Sequence, residues 1–344
     1  MDPRSAGGAV SSGPGYCGDL LCPRQTLKAY FGKGWERQVA YFEESLRRAN
    51  AYLDGKRIPD DITPRVGNKT GLRGSLQYYA DEMFLTLYAF VSLDLVDQAM
   101  RGRGEVGLYS RLLDAAFEEA AAPTVVRPRL WLECPLRAPK LYVEELREQY
   151  RDHSDTCHPV AYRRWLGRAN PALEGATHTD ALLALDWDGT SDKPASPAVM
   201  FEAKFLSDIS SHTSYAPDRD QLTRNLDAGL QLVGHDVDRF WYVFVTPECF
   251  KLDPSSRFYG YKLREFMDAQ TGPKALAEAL PHLARRELVD FAKLSRHIGW
   301  ITWQDICRLL SSSSAFVQPA FPREGLERFF KDRCLWPEEA DGHE

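Results

Sequence analysis

The sequence has little that suits a membrane span, a secreted disulfide framework or a positively charged coat. Within its 344 residues, no run approaches the ~18 apolar residues that a spanning helix needs. The N-terminal stretch MDPRSAGGAVSSGPG lacks the basic start and apolar core of a secretory signal. The seven cysteines are an odd number spread through the chain, which argues against a disulfide framework and predicts a reducing, cytoplasmic compartment.

An excess of positive charge is also missing. The chain has 43 Lys and Arg against 49 Asp and Glu, a net charge of −6, which excludes a histone-like protein. A local basic groove for nucleic acid remains compatible with this balance. Apolar residues at 44% and charged residues at 27% are typical of a globular protein that can bury a sizeable core.

Several catalytic and ligand-binding signatures are absent as well. No internal repeat, G-x-S-x-G nucleophile loop or Walker A phosphate loop occurs. The glycines of GRGEVG follow a predicted helix instead of a strand, which does not suit a dinucleotide loop. His153, Cys157 and His158 are close in sequence, but no second ligand pair follows at zinc-site spacing. These absences direct attention to other chemistry.

What is present divides the chain into four regions. Residues 1–15 are rich in Gly, Ser, Ala and Pro and predict a flexible tail. A helical N-terminal region is predicted over 16–123, a core over 124–250 and a helical C-terminal region over 251–344. The helices of the two outer regions are predicted over 26–54, 73–100, 107–121, 258–270, 273–282, 284–296, 302–310 and 322–333.

The middle region alternates strand and helix patterns. Residues 178–187 and 198–206 are apolar strand candidates separated by the turn residues DGTSDKPASP, which predicts an antiparallel hairpin. A leucine-striped helix over 218–233 and a very apolar interior strand over 239–247 follow. The segment 124–133 has strand composition and is the candidate for a first core strand. This order predicts an α/β fold.

Asp180, Glu202 and Lys204 are charged residues within the strands of the predicted hairpin. A turn centred near position 192.5 places Asp180 opposite residue 205, within about two positions. Glu202 and Lys204 are two residues apart and therefore project from one face of the neighbouring strand. Two carboxylates converging there would repel each other unless a divalent cation lay between them. A lysine beside that cation can orient or deprotonate a water and offset the charge of a phosphate.

With these residues, segment 178–247 resembles the PD-(D/E)xK nuclease superfamily, whose fold is called restriction-endonuclease-like. Asp180, the run Glu202-Ala203-Lys204, and Gln221 in the helix DRDQLTRNLDAG match its motif, with Arg224 or Asn225 one turn beyond Gln221. The resemblance implies a mixed sheet with flanking helices, whose core runs helix, three strands, helix, strand. It departs from the motif where Thr179 stands in place of the proline.

The resemblance also implies an activity and its cofactor. The expected protein is a metal-dependent nuclease that hydrolyses phosphodiester bonds, with Mg²⁺ as cofactor and Mn²⁺ able to substitute. Asp180 and Glu202 would be the metal ligands, Lys204 would stand beside the water, and Gln221 would place Lys204 or a phosphate. Some relatives add a glutamate from the first helix. The candidates left open by the sequence are Glu174, Glu144 and Glu82.

The expected partner is nucleic acid, DNA in preference to RNA, in restriction, repair or defence. Positive and polar side chains near the motif would contact its backbone. A homodimer is left open, and no membrane partner is expected. The candidate nucleic-acid contacts are Arg163, Arg164, Arg219, Arg224 and Asn225.

Two other functions remain open. The run LDWDGT resembles the nucleophile loop of haloacid-dehalogenase-like phosphatases, in which Asp186 would attack phosphorus and Asp188 would act as acid and base. Such enzymes need a parallel sheet with crossover helices, whereas this run also suits a hairpin turn. The third hypothesis is a non-catalytic nucleic-acid-binding module that kept the nuclease-like fold.

Overall fold

The structure is a computed structural model, and the predicted flexible tail over 1–15 lies outside the part that it describes. It describes residues 20–53, 78, 81–117, 121–152, 174–189, 197–212, 216, 218–313 and 323–337.

Helices and strands follow one another as an α/β chain with helical segments at both ends. The first half contains α1 (Arg24–Phe31), α2 (Trp35–Leu53), α3 (Glu82–Gly102), α4 (Leu108–Ala116), β1 (Arg129–Leu136), α5 (Lys140–Asp152), β2 (Thr177–Ala184) and β3 (Ala198–Ala203). The second half contains α6 (Gln221–Leu232), β4 (Phe240–Thr246), α7 (Glu248–Leu252), α8 (Phe258–Met267), α9 (Gly272–Ala279), α10 (Pro281–Ala284), α11 (Phe291–Arg296), β5 (Ile298–Thr302), α12 (Trp303–Ser311) and α13 (Arg323–Lys331).

The strands form one mixed sheet in the order β1-β2-β3-β4-β5. β1 with β2 and β2 with β3 are antiparallel, so the predicted hairpin is confirmed. β3 with β4 and β4 with β5 are parallel. The connection from β3 to β4 includes α6, as a parallel pair requires a crossover. Every residue of β3, β4 and β5 is buried, and apart from Glu202 in β3 and the threonines that end β4 and β5, their sequences are apolar, as expected for interior strands.

Two apolar cores cover the two faces of the sheet. One includes Phe201 and Val243 and packs against the N-terminal helices and the last two helices. The other includes Met200 and Phe244 and packs against α6, α8 and α9. Along β3, the apolar side chains alternate between the two cores because successive residues of a strand point to opposite faces. The first helices and the sheet therefore share a core.

The predicted helix over 26–54 is wrong as a single element. It is divided into α1 and α2 at Gly32 and Gly34, which have φ values of 55° and 97°. An α-helix cannot continue through residues with left-handed φ, and glycine adopts such φ without steric cost. The break allows α1 and α2 to contact each other.

The region after residue 250 is not wholly helical. β5 was not predicted, and it extends the sheet into the region expected to be helical. Its five residues, IGWIT, precede the amphipathic helix α12, whose start is capped by Thr302. A short apolar run beside a helix cannot be assigned by periodicity alone.

α3 is the one helix in the described ranges that is long and apolar enough to cross a membrane by length and composition. Most of its apolar window is buried inside the protein, including Phe84, Tyr88 and Phe90. The helix is apolar because it packs between the sheet and neighbouring helices.

Candidate active site

The candidate site lies where β2 and β3 separate. The last ladder pair is Ala181 with Phe201, and one residue further Asp180 faces Glu202. The expected partner, residue 205, is therefore wrong by three positions, because the connection is not centred where its turn composition suggested. The essential result is that the two carboxylates stand on adjacent strands at facing positions, from which side chains project to the same face.

Side chains replace the backbone ladder at this point. The Asp180 Oδ2 atom accepts a hydrogen bond of 2.7 Å from the backbone N–H of Ala203. The buried Thr179 hydroxyl lies 2.9 Å from the carbonyl oxygen of Phe201 and 3.0 Å from that of Ala181. Thr179, the departure from the superfamily's proline, thus satisfies carbonyls where the strands diverge. These bonds hold the β2 backbone and the Asp180 carboxylate against β3.

Glu202 is the most heavily bonded carboxylate of the site. Its Oε1 atom accepts from Lys204 Nζ at 2.6 Å and from Gln221 Nε2 at 2.6 Å. Its Oε2 atom accepts from Asn225 Nδ2 at 2.7 Å. Asn225 was expected to contact nucleic acid, but it is fully buried and holds Glu202 instead. Gln221 reaches the carboxylate that binds Lys204.

Local bonds on α6 determine which way the two amides point. The side-chain oxygen of Gln221, Oε1, accepts from the backbone N–H of Ser210 at 3.3 Å. The side-chain oxygen of Asn225, Oδ1, accepts from the Thr177 hydroxyl at 3.0 Å. Both amide nitrogens are therefore directed at Glu202. The helix begins at this point because the Asp220 side chain caps it, accepting from Thr223 N at 2.7 Å.

Gln221→Ala is expected to lower the rate of any reaction at this site by about 10- to 100-fold, as is usual when a residue that orients a ligand is lost. Two further donors still hold Glu202, and buried leucines hold α6, so the melting temperature should change little. Single-turnover rates and thermal unfolding of the variant check this. An unfolded Gln221→Ala protein would show that the residue acts in the core and not in the site.

The structure selects Glu82 among the three upstream glutamates. Glu82 begins α3, and its Oε1 accepts from Phe205 N at 3.0 Å and from Ser207 Oγ at 2.5 Å. Its Oε2 lies 3.7 Å from Lys204 Nζ. Glu144 is exposed on α5, and Glu174 binds an arginine elsewhere. Nothing in the local sequence distinguishes Glu82, because it lies about a hundred residues before Asp180 and 120 before Glu202.

Glu133 is a further carboxylate at the site that the sequence analysis did not select. β1 pairs Leu132 with Ala181 and Cys134 with Thr179, so Glu133 stands opposite Asp180. Its backbone has φ of 49°, which is uncommon for a residue other than glycine and typical of strained functional positions. The only available signal was its position at the end of the first strand candidate.

Charge crowding governs ionisation in the site. Burial, the nearby charge of Glu202 and that of Glu133 raise the pKa of Asp180 well above its ordinary value, although Lys204 opposes them. For Lys204, burial alone would lower the pKa, but Glu202, Asp180 and Glu82 outweigh it and raise the pKa. Lys204 is therefore an ammonium ion near neutral pH, able to donate hydrogen bonds and offset negative charge.

The donors suit a hard cation. In the described part of the chain, no group of three or more His, Cys, Asp and Glu side chains is arranged to hold a metal by itself. Mg²⁺ does not need such a cage, because one or two carboxylates, waters and substrate phosphate are its usual ligands. Asp180 and Glu202 supply those carboxylates, and the surplus of negative charge around the single Lys204 favours a cation.

Arg219 is placed differently from the expectation that it contacts nucleic acid. It is 4% exposed, and its guanidinium binds Glu174 at 2.9 Å and Asp227 at 2.8 Å. It also lies 3.7 Å from the ring centroid of Tyr142, while His282 lies 3.1 Å from Asp227. This buried network joins the chain before β2 to α6 and leaves Arg219 no surface for a phosphate.

Arg219→Ala is expected to lower the free energy of unfolding by about 3–5 kcal/mol, because Glu174 and Asp227 would stay buried without their cation. Arg285→Ala is the matched control, since Arg285 is exposed and its ion pair with Glu145 should contribute at most about 1 kcal/mol. Urea unfolding measures both. Unchanged stability together with weaker nucleic-acid binding would restore the original interpretation of Arg219.

The other candidate contacts have separate outcomes. Arg224 donates to the carbonyls of Gly175 and Ala176 at 3.0 and 2.9 Å and remains partly exposed. It can therefore still meet a phosphate. Arg163 and Arg164 lie outside the described residues.

The phosphatase motif follows the C-terminal end of β2, and Asp186 is six residues beyond Asp180. Asp186 follows that strand and binds Arg127 at 2.6 Å. β2 is antiparallel to both of its neighbours, β1 and β3. A nucleophile loop of the phosphatase kind needs a strand within a parallel sheet, so the geometry around Asp186 does not favour it.

Comparisons with protein-family models, curated proteins and solved structures found no match.

Proposed function

We propose that the protein is a metal-dependent nuclease that hydrolyses phosphodiester bonds of nucleic acid, DNA in the first instance. The observation that carries the proposal is the facing pair Asp180 and Glu202, with Lys204 Nζ 2.6 Å from Glu202. Two carboxylates for a hard cation and an ammonium ion beside them suit hydrolysis of a charged phosphodiester. Restriction, repair or defence are the proposed settings by analogy with proteins that carry the same motif.

The order of elements supports a restriction-endonuclease-like core. α3 and α4 precede the three strands β1, β2 and β3, and α6 and β4 follow them. Apart from α5, which is inserted between β1 and β2, this is the order helix, three strands, helix, strand that the resemblance implies. β5 extends that sheet by one parallel strand.

Each residue has a defined task in the proposed reaction. Asp180 and Glu202 would hold Mg²⁺, which supplies Lewis-acid polarisation of the phosphate and a more acidic water. Lys204 donates to the scissile phosphate or the attacking water and offsets the charge that develops in the transition state. Gln221 and Asn225 keep the Glu202 carboxylate in one orientation. Glu82 holds the chain that follows β3 through Phe205 and Ser207.

The proposal predicts a defined response to metal ions. Plasmid, linear duplex and single-stranded DNA should be cut with Mg²⁺ or Mn²⁺ and left intact with EDTA. Ca²⁺ should support binding but little cleavage, because its longer bonds and looser geometry position the water less well. Gel electrophoresis of the products measures this. Full cleavage in excess EDTA, by protein shown to be free of contaminating nuclease, would contradict the mechanism.

A further inference from the structure

An exposed apolar group stands on the short helices that follow β4. Leu252 on α7 is 78% exposed, and Phe258 and Tyr261 on α8 are 37% and 61% exposed. Leu206, two residues beyond Lys204, is 53% exposed. Scattered exposed apolar side chains are ordinary, but the segment that carries Leu206 is hydrogen-bonded through Asp208 to the start of α8. We call Leu252, Phe258 and Tyr261 the α7–α8 surface.

This surface is tied directly to the candidate active site. The carboxylate of Asp208 accepts from the backbone N–H groups of Phe258 at 2.7 Å and Tyr259 at 3.2 Å. Asp208 is four residues beyond Lys204, so their Cα atoms are at most about 14 Å apart. A strand of nucleic acid with its phosphate at Lys204 would therefore reach α8 within a few nucleotides.

Two arginines beside the surface are available to a phosphate backbone. Residues 248–268, from the start of α7 to the residue after α8, contain four cations and four carboxylates. Lys251 donates to the carbonyl oxygen of Trp300 and Lys262 pairs with Glu265, whereas Arg257 and Arg264 are in no ion pair within the described residues. The Arg257 guanidinium carbon lies 4.4 Å from the ring centroid of Phe250, which holds this cation beside the surface. Aromatic rings interleaved with cations are characteristic of surfaces that bind single-stranded nucleic acid.

Stacking on these aromatic rings would favour single-stranded over duplex nucleic acid. In a duplex the face of each base is covered by its neighbours, so a protein ring can stack only on a base that is unstacked. The exposed rings of Tyr261 and Phe258 can each stack on such an unstacked base. Every base offers the same face, so this contact would be independent of sequence.

We propose that the α7–α8 surface binds single-stranded nucleic acid by stacking its bases on Phe258 and Tyr261. The inference rests on the proposed function, because it names the preferred substrate as a single strand or an unpaired end. The bound strand runs from these rings along the Leu206–Asp208 segment, which directs its phosphates toward Lys204.

Fluorescence anisotropy of a labelled oligonucleotide in EDTA, where no cutting is expected, tests the proposal. The wild-type protein should bind a single strand more tightly than the duplex of the same sequence. Tyr261→Ala should raise the single-strand Kd by about 5- to 100-fold, whereas Tyr261→Phe keeps the ring and should stay within about two-fold. Leu288→Ala, which truncates an exposed apolar residue before α11, is the control for general loss of apolar surface.

Each outcome bears on one proposal. Equal Kd values for wild type and Tyr261→Ala, or tighter binding of duplex than of single strand, overturn the proposal that the α7–α8 surface binds single strands. A sedimentation change of the protein alone in Tyr261→Ala, with strand binding intact, identifies a contact between copies of the chain and also overturns it. Single-strand binding that depends on Tyr261, without any Mg²⁺-dependent cutting, refutes the proposed nuclease activity and supports binding at the α7–α8 surface. Mg²⁺-dependent cutting that is unaffected by Tyr261→Ala supports the nuclease activity and refutes binding at that surface.

Discussion

Asp180→Asn should lower Mg²⁺-dependent cleavage by at least about 100- to 1,000-fold, while Asp186→Asn should leave it within about three-fold. Loss of one preorganised charge-stabilising group typically has an effect of this size, and here a metal ligand is also lost. Asp186 is six residues further along the chain, about 20 Å from Asp180 at the rise of an extended strand. Cleavage rates of both variants, compared at saturating Mg²⁺, measure the difference.

Asparagine is chosen at both positions because it preserves shape. In Asp180→Asn, the side-chain carbonyl oxygen can still accept from Ala203 N–H. The contact between β2 and β3 at the point where the two strands diverge should therefore be preserved. Thermal unfolding of the two variants should therefore resemble that of the wild type. Loss of activity in Asp186→Asn alone, with hydrolysis of a small phosphomonoester by the wild type, would instead favour the phosphatase hypothesis.

Lys204→Ala should abolish cleavage to a similar degree while retaining metal binding. The ammonium group lies against Glu202 and near Glu82, and neither carboxylate would keep its cation after the substitution. Since both are buried or half-buried, the metal-free variant should lose about 3–5 kcal/mol of stability. Mg²⁺ should restore part of that loss, because a cation binding only the folded state stabilises it.

Calorimetric titration with Mn²⁺, thermal unfolding with and without Mg²⁺, and single-turnover cleavage separate these effects. Lys204→Arg is the matched control: it keeps the positive charge and should recover stability, but its planar fork positions the charge differently and should not recover the rate. Undiminished cleavage by Lys204→Ala would remove Lys204 from the mechanism. A melting temperature unaffected by Mg²⁺ in both wild type and Lys204→Ala would contradict the proposal that Mg²⁺ binds at this site.

Much of the fold could be predicted because its patterns are local. The hairpin of β2 and β3 followed from two apolar runs around a turn-rich segment, and α6 from its leucine spacing. β5 could not be predicted, since five apolar residues before a helix are compatible with either structure. The division of the first helix was visible only as two glycines, which some helices tolerate.

Within the candidate site, the sequence by itself determined which residues share a face. Glu202 and Lys204 are two apart on a strand, and Gln221 and Asn225 are four apart on a helix, and these spacings follow from the periods of the two structures. Tertiary structure alone decided what meets them. The strand register brings Glu133 and Asp180 to Glu202, and helix packing brings Glu82 to Lys204.

The same division explains Arg219. Its sequence position, near the motif and among polar residues, is equally compatible with a phosphate contact and with a buried ion pair. Burial against Glu174 and Asp227 decides between them, and burial is a property of the packed chain. Local periodicity is encoded within a few residues, whereas register and burial depend on contacts between segments far apart in sequence, which no local pattern specifies.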